Sequence, residues 1–188
     1  VGYGLPSVLV SSVERIYYGN DTATALSKGP LSMARTYPSA TGNSSYGYFG
    51  GGNLPGVVSN LDRIDYASDT STASAKGPLS LARLQLAATG HSSYAYFAGG
   101  NPATTTLDRI NYSNDTATAV AKGPLTVPRG NLSASGNSLY GYFVGGGIST
   151  TVSTVDRLDY ASDTTTTVTK GPLLHARRDM SGVNHNPV

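Results

Sequence analysis

The 188-residue chain contains no cysteine and no tryptophan, and only 13% of its residues are charged. Without cysteine there are no disulfide bonds and no thiolate sites for catalysis or metal binding. The net charge of +2 is too small and too evenly spread to indicate a nucleic-acid-binding surface. No apolar run approaches the ~20 residues that cross a bilayer as a helix, so we expect no membrane insertion.

The charges that are present recur with a fixed period. An acidic residue followed by arginine marks four similar segments: VERIYY at 13–18, LDRIDY at 61–66, LDRINY at 107–112 and VDRLDY at 155–160. KGPL recurs in the same register from residues 28, 76, 122 and 170, and an arginine follows each copy at 35, 83, 129 and 177. A period of about 47 residues is typical of propeller blades or long helical repeats. We therefore treat 1–188 as a single domain with repeat units of about 1–35, 36–83, 84–129 and 130–177.

The composition of each unit favours strands over helices. Glycine and proline are spread through every unit, and threonine, tyrosine and valine are abundant. In the third unit, turn residues separate four extended runs at 84–90, 93–100, 107–112 and 116–122. Four antiparallel strands per period predict a blade of a β-propeller.

A run of aromatic residues before glycines occurs three times: SSYGYFGGGN at 44–53, SSYAYFAGGN at 92–101 and SLYGYFVGGG at 138–147. We interpret the aromatic residues as a buried strand, and the glycines as the point where the chain leaves the sheet with positive φ. A phosphate-binding loop is the alternative, but it needs a helix start, and the sequence continues as a strand.

This pattern carries a family resemblance. A hydrophobic strand ending in Gly-Gly, then an acidic-Arg strand, then a Pro-Leu-x-x-x-Arg step resembles the Kelch repeat in all four units. The tryptophan usual in the fourth Kelch strand is absent. The near-identical copies, with DTATA, KGPL and YGYFGGG, more closely resemble tandem repeats of predicted structural proteins of tailed, especially marine, bacteriophages. The resemblance implies an all-β, four-bladed propeller with Kelch-like four-stranded blades, located on a virion or extracellular appendage.

The two ends of the chain complement each other in the repeat. We expect a composite blade with its first strand from about 179–185, its second from about 1–4, and its third and fourth from 13–28. Residues 178–188 would thereby close the ring with 1–4 and leave no free sheet edge.

The acidic residues at repeated positions have simple structural interpretations. For the first set we expect ion pairs between strands or blades, because four equivalent carboxylates do not make the unequal acid and base that catalysis needs; its members are Glu14, Asp62, Asp108 and Asp156. For the second set we expect Asx-type turns, since one short loop is a poor calcium site; its members are Asp21, Asp69, Asp115 and Asp163.

Nothing in the sequence points to catalysis. The histidines His91, His175 and His185 have no zinc-binding spacing, and no G-x-S-x-G elbow occurs. Kelch-type propellers also occur in oxidases, but those need a Tyr/His/Cys copper set and this chain has no cysteine. We therefore predict a non-enzymatic protein with no catalytic residue, no metal and no cofactor.

The segments after the glycines differ between units, at 53–60, 101–106 and 148–154. They join second to third strands, so they share one face of a propeller, and variable loops on a rigid scaffold commonly bind partners. The candidate partner-binding residues are Asn53, Leu54, Pro55, Asn101, Thr104, Thr105, Ile148 and Ser149. We predict a structural or adhesive module within a larger assembly that binds a protein or a surface glycan. A lectin-like propeller is the alternative function, and drift in tolerant loops is the alternative explanation of the variation.

Overall fold

A computed structural model describes residues 9–20 and 22–182, and this part of the chain is all-β. Its strands, in chain order, are β1 Val13–Arg15, β2 Leu26–Lys28, β3 Ser39–Gly42, β4 Tyr46–Gly50, β5 Asn53–Leu54, β6 Gly56–Val57, β7 Leu61–Asp65, β8 Ser74–Lys76, β9 Ala87–Gly90, β10 Tyr94–Ala98, β11 Leu107–Asn111, β12 Val120–Ala121, β13 Ser133–Gly136, β14 Tyr140–Val144, β15 Val155–Asp159 and β16 Val168–Lys170. Short 3₁₀ helices follow three of them, at Tyr66–Ser68, Tyr112–Asn114 and Tyr160–Ser162.

The second, third and fourth units each form one four-stranded antiparallel sheet. The strand orders are β3-β4-β7-β8, β9-β10-β11-β12 and β13-β14-β15-β16, and the described part of the first unit forms the hairpin β1-β2. The register repeats, since Tyr48 pairs with Arg63 in one sheet and Tyr96 with Arg109 in the next. The prediction of four antiparallel strands per period is confirmed for these three units.

The composite blade is only partly covered by the described residues. Its expected third and fourth strands, from 13–28, are present as β1 and β2. The expected second strand at 1–4, and residues 183–185 of the expected first strand, lie outside the described residues. Residues 179–182 form no strand. Ring closure by this blade therefore stays a prediction.

Apolar side chains between neighbouring sheets form the core. One cluster joins Tyr48 and Leu79 of the second unit to Phe97 of the third, and another joins Leu125 of the third to Phe143 of the fourth. The first strands of successive sheets also lie side by side, β3 against β9 and β9 against β13. The sheet of the third unit is therefore covered on both faces by its neighbours rather than by a separate layer.

The glycines behind the aromatic strands have the role predicted for them. Gly99 has φ +65, and a Cβ there would lie 2.5 Å from the carbonyl oxygen of Arg129. Gly145 repeats this with φ +59 and the carbonyl oxygen of Arg177 at 2.5 Å. Only glycine fits such a left-handed turn pressed against another backbone. The chain can therefore leave the second strand while the connection to the next unit packs closely over it.

A buried ion pair joins each described sheet to the connection before it. Arg83 Nη2 lies 3.0 Å from Asp108 Oδ2 and donates to the carbonyl oxygen of Phe97 at 3.0 Å. The backbone N–H and hydroxyl of Ser80 also donate to Asp108. The same arrangement recurs in the pairs Arg35–Asp62 and Arg129–Asp156. The interpretation as structural ion pairs between units is confirmed for these three aspartates. It is wrong for Glu14, the fourth member of the set, which is exposed and pairs with no cation among the described residues.

Asp21 of the second set lies outside the described residues, and the other three aspartates have a different role from the one expected. Asp115 accepts from Tyr48 Oη at 2.8 Å and pairs with Arg63 at 2.8 Å and Lys76 at 3.2 Å, all in the preceding unit. Asp69 and Asp163 make equivalent pairs. The Asx turn belongs instead to the residue that ends the third strand, as where Asp65 accepts from the backbone N–H of Ala67. The 3₁₀ turn needs only the side chain that precedes it, here Asp65. The aspartate that follows the turn, Asp69, is therefore available to bind the neighbouring unit.

Candidate binding face

The loops that differ between units lie at one end of the sheets, which we call the loop face. In a four-stranded meander, the loop between the second and third strands and the connection to the next unit lie at the same end. The backbone joins them directly: Thr36 bridges to Asn53, and Leu84 bridges to Asn101. In the fourth unit, the N–H of Gly147 donates to the carbonyl oxygen of Gly130 at 2.7 Å. Each variable loop is thus held against a connection.

Four residues on these connections share an unusual backbone conformation. Positive φ values between 52° and 57° occur at equivalent positions of successive units, in what we call the left-handed quartet: Tyr37, Gln85, Asn131 and Asp179. Glycine is the usual residue in this region, and a tyrosine or glutamine there carries backbone strain. The conformation repeats while the side chain does not, so the fold places four different side chains at one repeated position.

The quartet is connected by its own backbone. The N–H of Asn131 donates to the carbonyl oxygen of Gln85 at 2.8 Å, and the N–H of Asp179 donates to the carbonyl oxygen of Asn131 at 3.0 Å. A longer bond of 3.4 Å runs from the N–H of Gln85 to the carbonyl oxygen of Tyr37. These bonds form a series from unit to unit, so the four residues are neighbours on the loop face.

The side chains of the quartet combine an aromatic ring with amides and a carboxylate. Tyr37 is 60% exposed. Gln85 and Asn131 are half-buried, and at 3.5 Å Gln85 Oε1 accepts from Asn101 Nδ2. The Asp179 carboxylate is exposed and lies 3.4 Å from Arg178 Nε. The loop face therefore offers one flat apolar surface beside several hydrogen-bonding groups, all held by rigid connections.

The predicted binding residues fall into separate groups on this face. Asn53 and Asn101 lie next to the quartet through the bridges described above. Leu54 belongs to the small hairpin β5-β6, and Pro55 is the exposed residue at its turn. Asn53 and Asn101 are therefore close to the connections, whereas Leu54 and Pro55 project beyond them.

The remaining predicted residues lie around the third and fourth units. Thr104 and Thr105 are half-buried, and their carbonyl oxygens accept from the N–H groups of Arg129 and Leu125. Their backbone thus holds the connection in place, which is a structural role. Two further residues, Ile148 and Ser149, line a groove of about 290 Å³ together with Val127 and Pro128. The structure does not gather the predicted residues into one cavity.

Sequence reasoning missed the quartet as a site. None of its four members is among the candidate partner-binding residues named from the sequence. The available signal was the variation itself, since one repeat position holds Tyr, Gln, Asn and Asp in turn. Asn and Asp tolerate the left-handed region better than most residues, which makes half of this set a recognisable hint.

The opposite end of the sheets is built mainly from repeated residues, with one exception. His91 replaces the asparagine of the sister hairpins, and its ring packs 4.7 Å from Tyr160 and 5.4 Å from Tyr94. Its Nε2 atom is buried and has no hydrogen-bond partner among the described residues. Burial lowers the pKa of His91; the charge of Asp163 raises it and that of Arg109 lowers it further. Protonation of this ring therefore works against the folded state.

The described residues contain neither a metal-binding cluster nor a membrane-spanning helix. Among residues 9–20 and 22–182, no group of three His, Asp or Glu side chains is arranged to hold a metal ion. Within the same ranges, no helix has the length and apolar character needed to cross a membrane. No family model matches the chain, and no curated protein matches it in sequence.

Proposed function

We propose that this protein is a non-enzymatic binding module on the surface of a virion or extracellular appendage. Its loop face binds the partner. The observation that carries the proposal is the left-handed quartet. Strained non-glycine residues cluster at functional sites, and Tyr37 and Gln85 are such residues here, beside Asn131 and Asp179, whose types tolerate the conformation better. The resemblance of the repeat sequences to those of predicted tailed-phage structural proteins supports a location on a virion.

We further infer that the four units are blades of a closed, four-bladed propeller. Successive sheets pack face to face through the same contacts, their first strands are neighbours, and the quartet follows the same path from unit to unit. The Kelch-like pattern of the sequence agrees with this arrangement. X-ray scattering from the isolated chain should give the profile of a compact disc, and an elongated rod would contradict the ring.

A glycan is a second candidate partner, favoured by the chemistry around Tyr37. An exposed aromatic ring stacks on the apolar face of a sugar, and amide groups such as those of Gln85, Asn101 and Asn131 donate to and accept from its hydroxyls. A glycan array probed with the wild-type protein and with Tyr37→Ala tests this. Binding that the substitution abolishes would support the lectin-like function.

The binding face itself is tested by photo-crosslinking in the native assembly. A photoreactive side chain at position 37 should form an adduct with the partner, while the same group at position 66 should not. Tyr66 is a matched control because it is 50% exposed and follows the third strand, at the opposite end of the sheet. Adducts through position 66 and none through position 37 would move the binding surface away from the loop face.

A further inference from the structure

Each described junction between sheets uses the same set of contacts. Tyr48 stacks on Tyr112 of the next unit with ring centroids 4.9 Å apart, and Tyr96 stacks on Tyr160 at 5.1 Å. These two first tyrosines also donate to the aspartate of the next unit. The buried Arg–Asp pair on the connection completes the junction. A unit therefore presents a tyrosine and an arginine, and the following unit supplies a second tyrosine and a carboxylate.

The last unit presents its half of this junction without a partner among the described residues. Tyr142 is half-buried, whereas its counterparts Tyr48 and Tyr96 are fully buried. Arg177 is exposed, although its counterparts at 35, 83 and 129 are buried. Arg157 lies over the ring of Tyr140 but pairs with no carboxylate in the described part of the chain. This sheet face has the chemistry of a junction, and no residue of the ranges 9–20 and 22–182 completes that junction.

The first unit presents the complementary half. Tyr18, the counterpart of Tyr112 and Tyr160, is 93% exposed. Ile16 is 60% exposed, whereas its counterpart Ile110 is 2% exposed. Glu14 occupies the position of the buried aspartates and is itself exposed. Large apolar side chains rarely stay in water when a matching surface is available, and the described part of the chain supplies no neighbour for this face.

Two departures from the repeat fall on these same two faces. Glu14 replaces the aspartate of the other units, and Leu174 replaces the serine or threonine whose hydroxyl donates to that aspartate. A glutamate is one methylene longer, so it reaches an arginine without needing the hydroxyl to hold it. The departures compensate each other if Glu14 and Arg177 meet.

We propose that the exposed face of the last unit binds the first unit of the same chain, with Tyr18 stacked on Tyr142 and Glu14 paired with Arg177. This inference rests on the ring proposed above and names the contact that closes it. A second copy offers the same surface, but the first unit is tethered to the last at a high effective concentration. Propellers of four blades are the smallest common kind, so four units suffice for closure.

A single tryptophan provides the test, because the natural chain has none. Tyr18→Trp in the full chain should give an indole protected from acrylamide, with a quenching constant several-fold below that of Tyr17→Trp. Tyr17 is the matched control because it precedes Tyr18 directly and is also exposed. Adding Tyr142→Ala should raise the quenching constant at position 18 to that of the control. The protein should have the mass of a monomer throughout.

Other outcomes overturn the proposal. Equal quenching at positions 17 and 18 would show that the first unit is free. Protection that disappears on dilution, with the mass of a dimer, would assign the surface to a second copy. As a second variant, exchanging the charges in Glu14→Arg with Arg177→Glu should recover the melting temperature lost in each single variant, whereas pairing Glu14→Arg with Arg178→Glu should not. Apart from the Arg178→Glu control, which removes the ion-pair partner of Asp179, these variants leave the quartet and its contacts unchanged, so failure here leaves the loop-face proposal to its own test.

Discussion

Removing the guanidinium of Arg83 tests the role of the buried pairs between units. Arg83→Met keeps the length of the side chain but leaves Asp108 buried with donors only from Ser80, and leaves the carbonyl oxygen of Phe97 without this donor. Breaking a fully buried ion pair by removing one partner costs about 3–5 kcal/mol. Urea unfolding followed by circular dichroism measures the loss, and an unchanged m-value would show that the unfolded state is unaffected.

A matched control is available on the protein surface. Arg15 pairs with Asp69 at 2.6 Å, but about half of its side chain is exposed. Arg15→Met should therefore cost only about 0–1 kcal/mol, because water replaces the lost contact. If Arg83→Met proves no more costly than Arg15→Met, the buried pair is not what holds the units together.

The double replacement distinguishes a missing partner from a valuable pair. Burial lowers the pKa of Arg83 more than the charge and hydrogen bond of Asp108 raise it. Asp108 thus returns only part of what the guanidinium of Arg83 loses on leaving water. Arg83→Met with Asp108→Leu should cost less than Arg83→Met alone, since no buried charge remains. A double variant as unstable as the sum of the single variants would contradict this account.

Two further predictions concern single positions. Lowering the pH from 7 to 5 should reduce the free energy of unfolding of the wild type more than that of His91→Asn. The folded-state pKa of His91 is lowered, so the unfolded chain takes up the proton first, and this stability is complete above about pH 6.5 and lost below it; parallel pH curves would be inconsistent with a buried His91. Gly99→Ala should cost about 1–3 kcal/mol because a left-handed turn acquires a Cβ against the carbonyl of Arg129. Gly171→Ala is its control, since nothing lies within 4 Å of that Cβ, and thermal melts of both variants should therefore differ clearly.

Local sequence patterns predicted most of the fold. Gly-Gly after an aromatic strand predicted the exit from the sheet, because only glycine accepts the left-handed turn seen at Gly99. The Asp-Arg step and the KGPL segment established the period, and the turn residues between extended runs predicted four strands per unit. These features depend on neighbouring residues, so a single sequence shows them directly.

The parts that were missed depend on contacts between units. Asp65 and Asp69 both flank the same 3₁₀ turn, and either carboxylate could cap it by local criteria. The partners of Asp69, Arg15 and Lys28, lie in the preceding unit. The quartet was overlooked for a related reason: a tyrosine at position 37 has no local preference for positive φ, and the packed connection imposes that conformation on it.

The repeated Arg–Asp pair makes the units interchangeable at their boundaries. Arg83 binds Asp108 as Arg35 binds Asp62. A duplicated unit inserted after Arg83 would therefore form an Arg–Asp pair with the unit on each side. The gain or loss of a whole unit would preserve every such pair, whereas a boundary within a unit would leave a buried charge without its partner. The chemistry of the boundary thus sets no limit on how many units a relative contains. In the proposed ring, that number is governed by curvature, which decides when the last sheet can reach the first.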